Sequence, residues 1–289
     1  MGEAAISIRF DGGDASHNVI DMRLYGMALQ GMERIISDGI ILISARRLPK
    51  RGERAPLIVK AKEAVIGSHE TPGIIAENAH LLQLGWSLLS MKGDEIIFQW
   101  VSFVLNWLGG NKEKANEHLD ALMETQKMHL DASERADERR HAEARQWRDF
   151  ALQLVDKLAS AGVQAVAPVG PSTRTMDFST REGAKPFTVD EPMADVIRSK
   201  GQLEVEPMME MTLKTDGFAY HNRTVTVVHP EQPGRFILAH VQDPAFDQEP
   251  NRYSEAASKA ASIRAMCKVA RLDGAIKKIY LMDFIGLAE

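Results

Sequence analysis

The chain has 289 residues, of which 44% are hydrophobic and 26% charged, and its formal net charge is −5. That composition suits a globular protein long enough for two domains and excludes a disordered chain, while the acidic balance excludes nucleic-acid binding through bulk charge. One cysteine, Cys267, excludes an intrachain disulfide and a cysteine-based zinc cage and fits a reducing compartment.

No basic stretch followed by an apolar one opens the chain, so no signal peptide is expected. Ala5 to Phe10 reads as a strand, and Asp11-Gly12-Gly13-Asp14 as a turn. Asp21 to about Ser44 reads as a helix, because Met22, Leu24, Met27, Leu29, Met32, Ile35, Ile36, Ile40 and Ile43 form one broad apolar face. A basic loop follows, and Leu57 to Glu63 alternates as a strand. From Arg46 to Lys62 the chain contains Arg46, Arg47, Lys50, Arg51, Arg54, Lys60 and Lys62 against the single acid Glu53. In an acidic chain, seven cations against one carboxylate make these residues the candidate phosphate ligands, for a nucleotide, an oligonucleotide or a lipid headgroup.

Residues 74–108 are rich in Leu, Ile, Val, Phe and Trp, with charges only at Glu77, Lys92, Asp94 and Glu95. Lys92-Gly93-Asp94-Glu95 divides the block into two halves, each shorter than the roughly 20 residues that a spanning helix needs. Trp86, Phe98, Trp100, Phe103 and Trp107 are the candidate membrane or pore residues. The same residues also suit a buried helical hairpin. From Asn111 to about Ala161 the chain has strong helix formers and predicts a long charged helix, on the order of 75 Å if unbroken.

Ala167-Pro168-Val169-Gly170-Pro171-Ser172 reads as a linker, with a short helix expected over 191–199. Strands are expected over 203–214, 224–229 and 235–240, a helix over 253–271 with Cys267 buried in it, and a closing strand over 276–284. The fold class expected is α+β. It has an N-terminal α/β part (1–73), an apolar helical block (74–110), a long charged helix (111–162), a linker with a short helix (163–202) and a C-terminal β-β-β-α-β module (203–289).

No phosphate-binding Gly-rich loop, dinucleotide fingerprint, zinc-protease helix motif or nucleophile elbow is present. His118, His129 and His141 are too far apart along a helix to share a metal. Asp216, His221, Arg223 and Asp243 are the residue types of a hydrolytic site, but their spacing does not favour one, and His221, His229 and His240 fall near hairpins. No catalytic residue, metal ligand or cofactor is expected.

In layout, the apolar block of 74–108 followed by the charged stretch of 111–161, with the basic patch of 46–62, resembles the channel-forming membrane effectors of bacterial Hailong-type anti-phage defence. The resemblance implies a non-enzymatic homo-oligomer in the bacterial inner membrane with soluble domains in the cytoplasm. It further implies an ion channel held closed by an anionic nucleotide or single-stranded DNA oligomer, the product of a partner nucleotidyltransferase. The alternative is a soluble oligomeric interaction protein in which the apolar block is a shared core.

Overall fold

The structure is a computed structural model that describes residues 4–55, 58–61, 69–76, 86–128, 137–180 and 185–288. The chain is mixed α+β and divides into two units, Met1–Lys200 and Gly201–Glu289.

In unit 1 the strand β1 (Ala4–Asp11) lies at the centre of a five-stranded antiparallel sheet. It pairs on one side with β3 (His69–Ala76), which continues to β2 (Ile58–Ala61), and on the other with β4 (Thr175–Ser179), which continues to β5 (Phe187–Val189). Ile6, Ile8 and Phe10 are buried while Arg9 is exposed, the period-2 pattern of a sheet with one covered face. Five helices accompany the sheet: α1 (Met22–Ala45), α2 (Trp86–Leu108), α3 (Lys112–Met128), α4 (Asp137–Ala165) and α5 (Glu191–Arg198). The Asp21 carboxylate caps α1 by accepting from the Leu24 N–H at 2.9 Å. Gly31 of α1 faces the backbone of Ala161 and Ala165 on α4 at 2.4 Å from an ideal Cβ position, so the two helices touch where only glycine fits. The short helix expected over 191–199 is α5, capped by Asp190, which accepts from the Met193 N–H at 3.0 Å.

The apolar block corrects the membrane reading. Helix α2 runs unbroken through Lys92-Gly93-Asp94-Glu95. Ile96, Ile97, Trp100, Val101, Phe103, Val104 and Leu105 are all buried in the unit's core. Among the described residues no helix is long and apolar enough to cross a membrane. The ion channel, the membrane effector and the inner-membrane location are therefore overturned. Over Ile96–Leu105 the apolar surface is already covered by α1, α3 and α4 of the same chain. Residues 74–76, the start of the block, belong to strand β3 rather than to a helix, and residues 77–85 lie outside the described residues.

The charged stretch is two helices rather than one rod. The Arg148 guanidinium on α4 donates to Asp120 at 3.0 Å and to Asn116 at 2.6 Å, both on α3. Twenty-eight residues of straight helix would hold Arg148 and Asp120 about 42 Å apart. The chain therefore turns back between them, and Leu119, Leu122, Leu154, Val155 and Leu158 are buried in the same core.

Unit 2 contains β6 (Leu203–Val205), β7 (Met209–Ala219), β8 (Thr224–Val228), β9 (Phe236–Val241), α6 (Arg252–Ser258), β10 (Ser262–Leu272) and β11 (Ala275–Leu287). Strand β7 pairs with β8, β8 with β9, β9 in parallel with β11, β11 with β10, and β10 back to β7, which closes a five-stranded barrel. The short β6 extends the β7 side along the same strand β10. The ring has one parallel pair and a helix between its third and fourth strands. Closure pairs the strands all the way round and removes the edges of an open sheet.

The helix expected over 253–271 ends after Ser258, and 262–272 is the strand β10. Ile263, Ala265, Cys267 and Val269 are buried and Arg264 is exposed, so the true period there is two. Alanine-rich composition suggested a helix, whereas alternation with barrel burial decided for a strand. The module thus has one more strand after its helix than expected.

Candidate functional site

The barrel turns one apolar row outward. On β9, Ala239 and Val241 point into the core, while Phe236 and Leu238 are 56% and 53% exposed. Strand register sets Phe236 beside Val228 and Leu238 beside Thr226 on β8. Across the next pairing, Gly217 lies opposite Thr226, and a Cβ there would stand 3.3 Å from the Thr226 hydroxyl, so the glycine keeps the row shallow.

The turn joining β7 to β8 carries a further exposed aromatic ring. Arg223 donates its N–H to the Tyr220 carbonyl at 3.0 Å and adopts a left-handed conformation at φ 50°. Tyr220 is 60% exposed yet stacks on Phe246, with centroids 5.4 Å apart and planes 24° apart. Phe246 itself is buried, stacked on Phe218 and covered by the Arg223 guanidinium 4.3 Å from its centroid. Arg223 also pairs with Asp247 and donates to the Asp243 carbonyl at 3.0 Å. The exposed ring therefore rests on a fixed base rather than a free loop. Tyr220, Leu238 and Phe236 carry the apolar contacts of the candidate site, and the face can stack and bury flat rings.

Charge contributes little on this unit. Residues 201–289 hold ten Lys and Arg against twelve Asp and Glu. Of the residue types of a hydrolytic site, Asp216 and His221 are exposed, and Arg223 and Asp243 are engaged in the barrel's own structure. Buried Asp243 accepts from the Ala245 N–H at 2.8 Å, the Tyr253 hydroxyl at 2.8 Å and the Phe284 N–H at 3.0 Å. His229 accepts from the Glu231 N–H at 3.2 Å, and the His240 ring lies 6.3 Å from Tyr280. Among the described residues no three His, Cys, Asp or Glu side chains converge on a possible metal position. Cys267 is buried in β10, and burial pushes its thiol up to about 12.

The residues singled out in the sequence fall elsewhere. Arg46, Lys50, Arg51 and Arg54 are exposed in the loop after α1. Arg47 is engaged within the loop, its guanidinium gripping Glu53 at 2.8 and 2.5 Å. Lys60 lies on β2 opposite Ile74, and Lys62 lies outside the described residues. Trp100 and Phe103 are core residues, and Phe98 and Trp107 are half-buried against that core. Trp86 begins α2, and nothing is described of its side chain. His118 is half-buried, 2.6 Å from Gln99 and edge-on to Phe98; burial lowers its pKa. His129 lies outside the described residues. Tyr220, Phe236 and Leu238 escaped the sequence reading, although β9 carried the signal. Phe236 and Leu238 alternate with Ile237, Ala239 and Val241, and a strand apolar on both faces has one face to spare.

These features define a two-unit α+β protein with a closed five-stranded barrel in its second unit. The chain belongs to the family described as a domain of unknown function, DUF7946, whose model matches residues 6–198. A second model, the family of unknown function DUF7947, matches residues 207–285 and so covers most of the barrel. No curated protein and no solved structure matches the chain.

Proposed function

We propose that the protein is a non-catalytic binding protein whose barrel takes up a single-stranded oligonucleotide on the face made by Tyr220, Phe236 and Leu238. The observation that carries this reading is the pair of exposed aromatic rings, Tyr220 on the turn between the first and second strands of the ring and Phe236 on the third. The ring resembles the oligonucleotide/oligosaccharide-binding barrel, in which the face of the second and third strands and the turn before them receive such ligands. A single strand presents unpaired bases that stack on aromatic rings, each worth about 1–3 kcal/mol. A face without excess positive charge must draw its affinity from such stacking.

Of the two functions expected from the sequence, the interaction protein is the better supported. The apolar residues from Ile96 to Leu105 are buried in the chain's own core, which keeps them from water and lipid without a core shared between copies.

The test is fluorescence anisotropy of a labelled oligothymidine with the full chain. Tyr220→Ala and Phe236→Ala should each weaken binding by about five- to a hundredfold. Duplex DNA of the same length should compete poorly, because its bases are stacked internally. Equal binding by both variants, or preference for duplex, overturns the reading.

A further inference from the structure

The loop of residues 46–54 has a built geometry that its composition alone does not reveal. Arg46 adopts a left-handed conformation at φ 52° and closes α1 by donating its N–H to the Leu42 carbonyl at 2.9 Å. Arg47 then spans the loop, holding both oxygens of Glu53 and donating to the Leu48 carbonyl at 3.2 Å. Glu53 also accepts from the Lys50 N–H at 2.8 Å, while its own N–H donates to the Lys50 carbonyl at 3.1 Å. This closes a four-residue turn with Gly52 at φ 76° in its third position, where a left-handed residue is required. At the loop exit, the Ala55 N–H donates to the buried Ser37 hydroxyl at 2.8 Å and ties the strand back to α1.

The consequence is electrostatic. The loop's only carboxylate is consumed by the clamp that shapes it. Arg46, Lys50 and Arg51 are exposed and, among the described residues, have no ion pair; Arg54 has only a 4.0 Å approach to Glu33, with its side chain 79% exposed. The other nearby acid, Asp38, faces Arg34 at 3.8 Å. Six cations (34, 46, 47, 50, 51 and 54) therefore stand against three carboxylates (33, 38 and 53), a local excess of three positive charges in a chain of net −5. An ideal Cβ on Gly52 meets nothing within 4 Å, so the turn tip is open to a large ligand.

We propose that this loop is a preformed contact for the phosphodiester backbone of a nucleic-acid strand. Guanidinium and ammonium groups on a shaped loop lose little freedom on binding, and several phosphates in a row are what spaced cations can neutralise together. A lipid surface is the less favoured partner because the loop exposes no large apolar side chain for insertion. The exposed Met22 lies at the opposite end of α1, on the order of 35 Å away. The inference goes beyond the barrel reading and does not depend on it.

The test uses the full chain and a fluorescein-labelled oligothymidine of about 20 nucleotides, read by anisotropy from ~50 to ~300 mM KCl. Wild type is compared with Arg46→Glu/Lys50→Glu/Arg51→Glu and with Tyr220→Ala/Phe236→Ala, all with matched thermal melts. The charge variant should lose at least about tenfold in affinity, and its slope of log K against log salt should shrink by about 2, three single-strand contacts at roughly 0.7 each. The aromatic variant should keep the wild-type slope. An unchanged slope and affinity in the charge variant overturns the loop proposal, even when the aromatic variant has lost binding and the barrel reading stands. Flotation with phosphatidylserine vesicles that the charge variant alone loses, with oligonucleotide binding intact, assigns the loop to lipid headgroups and also overturns it. No wild-type binding at the lowest salt overturns both.

Discussion

The indole of Trp100 on α2 occupies the space that a side chain at Gly39 on α1 would need. A Cβ built on Gly39 would stand 2.0 Å from the Trp100 Nε1 and 2.3 Å from its Cδ1. The same indole donates to the Ile35 carbonyl at 2.8 Å, so the ring is held both by packing and by a buried hydrogen bond. Gly39→Ala must therefore displace the ring and break that bond. Overpacking of this kind costs about 1–3 kcal/mol, and the broken bond adds about 1. Urea unfolding followed by tryptophan fluorescence should show a loss of about 3 kcal/mol. A change below ~1 kcal/mol would mean that the ring has room to move.

Trp100→Phe separates the two contributions. The aromatic volume mostly remains, but the Ile35 carbonyl loses a donor in a dry core. A loss of about 1–3 kcal/mol is expected in the same experiment.

The clamp at Glu53 makes a prediction about acid. Hydrogen bonding from Arg47 holds its carboxyl at about 2 in the folded chain, against 4.5 for the unperturbed group. A depressed folded pKa gives a contribution that is complete above about 4.5 and fades as pH falls towards 2. Glu53→Gln should consequently melt earlier than wild type at pH 6, and the two curves should draw together only as pH falls through about 2. Parallel melting curves over the whole range would show that the clamp has no part in acid stability.

Buried Cys267 should not react with a thiol reagent at pH 8. Its thiol is pushed up to about 12 by burial, and it lies inside the barrel. One equivalent should react only after denaturant unfolds that unit. Stoichiometric labelling of the native protein would contradict the placement of β10.

Asp243 holds three donors at once on one buried carboxylate, and the Tyr253 hydroxyl it accepts from is driven to a higher pKa first by burial and then by that hydrogen bond. Asp243→Ala leaves these donors without an acceptor and should cost on the order of 3 kcal/mol. Asp243→Asn should also destabilise, because whichever way the amide turns its NH2 group faces a backbone N–H, that of Ala245 or that of Phe284. Thermal melting of the two variants side by side measures this. An Asn variant with wild-type stability would show that the third donor is dispensable.

Local pattern was enough to recognise β1, α1 and α5, because Ile6, Ile8 and Phe10 alternate, the apolar face of α1 recurs at helical spacing, and Asp190 marks a helix start. It failed at β10, where Ala and Met between Ile263 and Val269 satisfy either period until the barrel supplies a strand on each side. It also failed at α2, because an apolar helix destined for lipid and one destined for a core have the same composition.

By itself, then, the sequence determined where apolar and charged residues concentrate, that the basic residues after α1 outnumber their one acid, and that no familiar catalytic motif is present. These are properties of residues and their near neighbours. Only the tertiary structure decided that Trp100 faces Gly39 rather than lipid, that Arg148 meets Asp120 by a turn of the chain, that Arg47 is consumed by Glu53, and that Phe236 and Leu238 face outward. Each depends on which distant segment covers a given surface, and burial is a property of the partner as much as of the residue.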